Sequence, residues 1–234
     1  MRQLKKHGFG KIPAMLLLLL FSVFFKQAQA KAAPFSAIEV VLPAGKAPDI
    51  NTALHLCKKY KLPLSSVYTW KNHLVIYGRL RRFNLLRHEL TATYPQAMVK
   101  TYQNPFYDFD RAKRCKTGVV KNWDNILLTA DLVPDAKMQR EYLNYHATQF
   151  KKWPEVSRGF CNAQFQQLLV FKNGRQLLLV ISIPKGENLD KLNPLTSRNN
   201  PRVDEWNKLM SKYQEGIPGT KKGETWVFLT PAGR

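Results

Sequence analysis

From residue 37 onward, short apolar runs alternate with longer stretches in which apolar residues recur every three or four positions. Ala37 to Leu42 is an apolar run interrupted only by Glu39, and predicts a strand. Pro48-Asp49 opens a helix that continues to Tyr60. Ser66 to Trp70 and His73 to Tyr77 are β-rich and flank Lys71-Asn72, a two-residue hairpin signal. Arg81 to Thr93 predicts a second helix with Phe83, Leu86 and Leu90 on one face, and Ala97 to Tyr102 a closing strand. The order is βαββαβ, the ferredoxin-like arrangement.

The second half repeats the pattern. Ile126 to Leu132 predicts a strand, and Asp135 to Phe150 a helix that again starts from Pro-Asp. Ala163 to Phe171 and Gln176 to Ile183 predict a hairpin around Lys172-Asn173-Gly174. Asn200-Pro201 starts another helix, and Thr225 to Leu229 closes the sheet. The expected fold is α+β: two tandem ferredoxin-like βαββαβ units, packed sheet to sheet as an intrachain α+β barrel. The expected segments are 31–104 for a first repeat without an evident site, 105–124 for a basic linker, and 125–234 for a second repeat that carries the chemistry.

That chemistry centres on the helix from Asp135. Met138, Tyr142 and His146 stand four apart and share one face, continued by Gln149 and Phe150. Tyr, His and Gln among apolar residues suit the floor of a polar pocket. On the helix from Asn200, Val203, Trp206, Met210 and Tyr213 share a side, so Trp206 points inward. Tyr142-x-x-x-His146, Trp153-Pro154-Glu155, Glu205-Trp206-Asn207-Lys208-Leu209-Met210 and the aromatic strand Thr225-Trp226-Val227-Phe228-Leu229, in this order, resemble the L-rhamnose mutarotase family.

The resemblance covers roughly residues 126 to 229. It implies a small α+β domain that pairs through its sheet and interconverts sugar anomers. Carried onto this chain, it implies His146 as the catalytic group and Tyr142, Trp206 and Asn207 as substrate contacts, with Asn207 in place of a second Trp. Gln166 or Gln167 stands where the family carries a pocket tyrosine on the strand after the first helix. Trp153 and Glu155 are candidates to orient the site, Glu155 by holding His146. Opening a pyranose requires a proton delivered to the ring oxygen and one taken from the anomeric hydroxyl, and an imidazole titrating near neutrality can exchange both. A Trp supplies the flat apolar wall that a sugar's C–H face prefers.

The rest of the composition narrows the setting. Arg2, Lys5, Lys6 and Lys11, then an apolar stretch from Ala14 to Phe25, then Ala28-Gln29-Ala30, read as a signal peptide over residues 1–30. The apolar stretch is too short to span a bilayer. The expectation is a periplasmic or secreted chain beginning near Lys31, without a transmembrane span after cleavage. The net charge of +21 would ordinarily raise nucleic acid as a partner, but export removes most of that expectation and leaves anionic polysaccharide, a membrane surface or simply solubility. A small-molecule sugar as partner is what the family resemblance implies. The first repeat then serves as a pseudo-dimer partner within the chain, and a homo-oligomer remains open. The three cysteines, Cys57, Cys115 and Cys161, allow one disulfide and one free thiol, or three thiols.

Alternatives from other classes stay in view. One is a carbohydrate-binding module in which His146 only hydrogen-bonds; another is a polyanion-binding or structural surface protein that uses Arg111, Lys113 and Arg114. Aligned by Pro-Asp, the first repeat has Leu56 and Tyr60 where the second has Tyr142 and His146. His55, His73 and His88 pair with no acid or nucleophile in sequence and are expected to be structural or surface residues. No phosphate loop, nucleophile elbow or metal-ligand spacing occurs, so no cofactor and no metal are expected.

Overall fold

The computed structural model describes residues 32–233, so the expected signal peptide lies outside the described residues. Residues 33–233 form one compact unit. Its strands are β1 (Ser36–Val41), β2 (Val67–Trp70), β3 (His73–Gly78), β4 (Met98–Tyr102), β5 (Tyr107–Asp110), β6 (Trp123–Leu132), β7 (Gln167–Asn173), β8 (Gln176–Pro184), β9 (Gln214–Glu215) and β10 (Val227–Pro231). The helices are α1 (Ile50–Lys59), α2 (Phe83–Thr93), α3 (Arg111–Arg114), α4 (Ala136–Lys152), α5 (Pro154–Asn162), α6 (Leu189–Leu192) and α7 (Pro201–Met210). No helix among the described residues is long and apolar enough to cross a membrane.

All strand pairs are antiparallel, in the order β4-β1-β3-β2-β10-β6-β8-β7-β5, with β9 added beside β6. The sheet curls, and one of its faces becomes a shared interior. Ala37, Val75, Tyr77 and Tyr102 from the first half pack there with Leu127, Phe171, Leu178, Val180 and Leu229 from the second. Asn173 Nδ2 donates to the Thr101 carbonyl at 3.1 Å, tying the end of β7 to β4. On the other face, α1 and α2 cover Ile38, Val40, Leu74 and Ile76. There too, α4, α5 and α7 cover Leu128, Leu168, Val170 and Ile181.

Local chemistry accounts for the element boundaries. Asp49 accepts from the Asn51 and Thr52 amides, and Asp135 accepts from the Met138 amide at 2.8 Å, so each Pro-Asp pair caps its helix. Lys71 has φ +48° in the β2–β3 turn, and Asn72 Nδ2 donates to the Leu42 carbonyl across it. In the second hairpin the turn residues are Gly174, at φ +59°, and Arg175, one residue later than expected.

Three expectations need correction. Residues 105–124 are not a free linker: Tyr107 and Phe109 alternate with Asp108 and Asp110, and the strand they form pairs with β7 as an edge. In the basic run after it Arg111 is buried, while Lys113, Arg114 and Lys116 are solvent-exposed. Arg111 is only 6% exposed and donates to the carbonyls of Thr117, Cys161 and Phe165. Arg114 lies over the Phe150 ring, and Lys113 pairs with Asp110. Second, the residues between the expected helix end at Phe150 and the expected strand from Ala163 were assigned to no element, and most of them form α5, with Pro154 at its first turn. Third, Ala163 and Gln164 close α5 rather than open β7, Gln164 turning the chain at φ +57°.

The cysteine alternatives resolve as well. Cys115 and Cys161 form a disulfide that ties α3 to α5, and Cys57 is a buried free thiol whose pKa burial pushes up to about 11.

Candidate active site

Between the outer face of the second half-sheet and its helices lies a cavity of about 360 Å³, within the usual range of small-molecule sites. Helix α4 supplies Tyr142 and His146, α7 supplies Trp206, Asn207 and Met210, and α5 supplies Val156 and Phe160. The sheet adds Leu168, Val170, Leu179 and Ile181, and Tyr107, Gln214 and Trp226 complete the wall.

His146 is 8% exposed and boxed by aromatic rings. Tyr142 lies 4.3 Å from it between centroids, Trp206 5.2 Å, Tyr107 5.3 Å and Phe106 5.6 Å. Its Nδ1 sits 3.0 Å from the Tyr142 carbonyl oxygen, an acceptor only, so Nδ1 carries the proton and Nε2 carries the lone pair. Burial pulls its pKa down to about 4, against the opposing pull of that hydrogen bond. The expectation of an imidazole titrating near neutrality is thereby corrected: at pH 7 His146 is neutral and acts as an acceptor.

The Tyr142 hydroxyl is oriented by a relay. Trp226 Nε1 donates to Gln214 Oε1 at 3.1 Å, and Gln214 Nε2 donates to the Tyr142 oxygen at 3.0 Å. With its oxygen already accepting, Tyr142 keeps its own proton to donate. Burial raises its pKa far above the ordinary phenol value. Tyr107 spends its hydroxyl on Gln149 Oε1 at 3.1 Å and contributes its ring. Asn207 is solvent-exposed at the cavity rim.

Three of the expected residues fall elsewhere. On β7, Leu168 and Val170 face the cavity; Gln167 has the opposite parity, shared with Leu169 and Phe171, and points into the shared interior of the sheet. Gln166 donates to the Gly118 and Gln164 carbonyls and accepts from the Val120 amide, holding the loop before β6. Glu155 pairs with Arg158 at 3.1 Å, and its backbone carbonyl accepts from Asn200, so it orients α7 and not His146. Trp153 stands behind Trp206 at 5.6 Å, with the Arg202 guanidinium 3.8 Å from its ring centroid.

Sequence reasoning missed Tyr107 and Gln214. Tyr107 was hidden in the supposed linker. Gln214 sits one residue past Tyr213, where the α7 helical face runs out.

Comparison with known proteins matches this region. A family model for L-rhamnose mutarotase matches residues 125–231. An L-fucose mutarotase of Xanthomonas campestris pv. campestris is 30% identical over 97 residues, covering 41% of this chain and 75% of that protein. The chain belongs to the L-rhamnose mutarotase family. A UPF0734 protein of Dictyostelium discoideum is 31% identical over 104 residues, covering 41% of this chain and 77% of its own length. A ferredoxin-fold protein of Listeria monocytogenes 4b F2365, related to antibiotic biosynthesis monooxygenases, covers 86% of this chain and 97% of its own at 9% identity and TM-score 0.40. A candidate monooxygenase of Fusobacterium nucleatum covers 86% of this chain and 93% of its own at 10% identity, TM-score 0.47. The match to the L-rhamnose mutarotase family covers the segment that carries Tyr142, His146 and Trp206, and leaves out β1 to β5.

Proposed function

We propose that the His146 cavity interconverts the α and β anomers of a free sugar, L-rhamnose or a related deoxysugar such as L-fucose. The observation that carries this reading is the pair at the cavity floor: a neutral imidazole offering a lone pair, beside a phenol whose proton meets no acceptor among the described residues. His146 Nε2 takes the proton of the anomeric hydroxyl as the bond between the anomeric carbon and the ring oxygen breaks. Tyr142 gives its proton to the ring oxygen, and the donor bond from Gln214 stabilises the phenolate that forms. The aldehyde rotates, and both transfers run backward as the ring closes on the other face. Neither group ionises readily alone in this buried site, so the two transfers are coupled. Trp206, backed by Trp153, offers the flat wall for the sugar's C–H face.

We also read the chain as two tandem ferredoxin-like units in one barrel, each with the strand order 4-1-3-2, the first taking the place of a second subunit. The β2–β10 junction and the interior shared by both halves support this reading. Export through residues 1–30 is proposed with it, and the Cys115–Cys161 disulfide suits an oxidising compartment.

Exchange NMR on L-rhamnose and L-fucose tests the activity and ranks the sugars. Catalysed exchange of at least one is expected, with Trp206→Ala raising the sugar concentration needed for half-saturation. Saturable binding without exchange would leave a carbohydrate-binding module instead.

A further inference from the structure

The shared interior of the curled sheet is apolar at one end and ionic at the other. Glu39, in the middle of β1, is 1% exposed. Its carboxylate accepts from His73 Nδ1 at 2.7 Å, from the Tyr102 hydroxyl at 2.7 Å and from Gln176 Nε2 at 3.0 Å. Gln176 also donates to Thr129 Oγ1 at 2.9 Å and accepts from Lys100 Nζ, so every polar atom of its amide is engaged. Hydrogen bonding to His73 holds Glu39 anionic despite its burial.

The consequence falls on His73, which the sequence offered no partner. A carboxylate only accepts, so Nδ1 carries its proton toward Glu39, and Nε2 faces the other way. His73 lines an open cavity of about 700 Å³ at this end of the sheet, together with Lys46, Lys71 and Lys100. Its walls are apolar at Val41, Met98 and Ile217. The one carboxylate lining it, Asp131, is paired with Arg175 at 3.3 Å. Burying a carboxylate under several donors is costly, and here it fixes the orientation of one imidazole at a cationic mouth.

We propose that this mouth is a second ligand site, separate from the His146 cavity, that binds a small hydroxylated carboxylate, a sugar acid in chemical class. Lys46 and Lys100 hold the carboxylate, with Lys71, which donates to the Gly219 carbonyl and lies over the Trp70 ring, beside them, and His73 Nε2 hydrogen-bonds a hydroxyl. A neutral sugar lacks the first contact and inorganic phosphate lacks the apolar body, so neither fills the site.

Titration of the purified protein with D-glucuronate, D-glucose and inorganic phosphate, read by calorimetry and by the His73 and His146 ring resonances, tests the assignment. Glucuronate should bind saturably and shift the His73 signal while leaving His146 in place. Lys100→Met should weaken it about tenfold or more, as expected for loss of a charge-assisted contact. Lys46→Ala, at an exposed position that bears no load in the fold, should weaken it in the same sense. Trp206→Ala should leave it unchanged. No saturable glucuronate binding, glucose binding as tightly as glucuronate, phosphate binding without glucuronate, or unchanged affinity in both lysine variants would each overturn the proposal.

Discussion

At the scale of single residues, the state of His146 decides what the cavity can do. Its pKa is about 4 in the folded chain against an ordinary 6.5, because burial penalises the imidazolium. Between those values the unfolded chain takes up a proton that the native chain refuses. Stability is therefore full above pH 6.5 and falls as pH drops toward 4, by roughly 3 kcal/mol from this one group. Denaturant unfolding across that range should show the slope, and His146→Ala should flatten it. Activity should stay level from pH 7 to about 5 and fall only near pH 4, whereas an imidazole titrating near 6.5 would halve it there. Tyr142→Phe removes the donor but leaves the ring packing, so exchange should drop about 10²-fold or more, while stability falls by only about 1–3 kcal/mol for the Gln214 donor left unpaired. Tyr142, His146 and Trp206 were legible in sequence because helical spacing fixes which residues share a face. Gln166 and Gln167 were misplaced because sequence similarity left the β7 register open by one residue, and one residue flips a strand side chain to the other face. The Glu39–His73 pair had a visible signal, a lone carboxylate in an apolar strand, but its partner comes from cross-strand register.

Among the elements, α5 controls how the cavity is shaped. It carries Val156 and Phe160 into the wall, and Gly159 lets it approach the turn at 193–196 and α7. A Cβ at Gly159 would stand 2.5 Å from the Thr196 carbonyl oxygen and 3.1 Å from Val203 Cγ2. Gly159→Ala should therefore push α5 away from α7, lower the melting temperature and weaken sugar binding through Trp206; unchanged binding would show that α7 is held independently. The disulfide holds the other side of α5 to α3. Its reduction should cost about 2–4 kcal/mol. Thiol titration of the unfolded, unreduced protein should find one reactive group, Cys57, and three after reduction. The apolar periodicity exposed the helices and strands of the two βαββαβ patterns. It did not reveal β5 or α5: β5 has only four residues, and α5 is set off from α4 by a single residue, Trp153, before Pro154.

For the whole molecule, an α+β fold with an antiparallel sheet was readable because strand-like and helix-like apolar periods alternate along the chain. How the sheet curls was not, since it depends on which faces meet. Leu127, Phe171, Leu178 and Val180 are covered by residues of the first half, so a fragment spanning 123–234 should self-associate or precipitate when expressed alone. A well-behaved monomeric fragment would contradict the pseudo-dimer reading. Mature native protein should begin near Lys31, which N-terminal sequencing checks. The central claim concerns the anomers, and exchange NMR of L-rhamnose and L-fucose with wild type and His146→Ala tests it most directly. Wild type should exchange the α and β signals of at least one sugar well above the buffer rate, and His146→Ala should lose nearly all of that acceleration, about 10²–10⁴-fold. Exchange at the buffer rate in the wild type, or full acceleration surviving in His146→Ala, would contradict it.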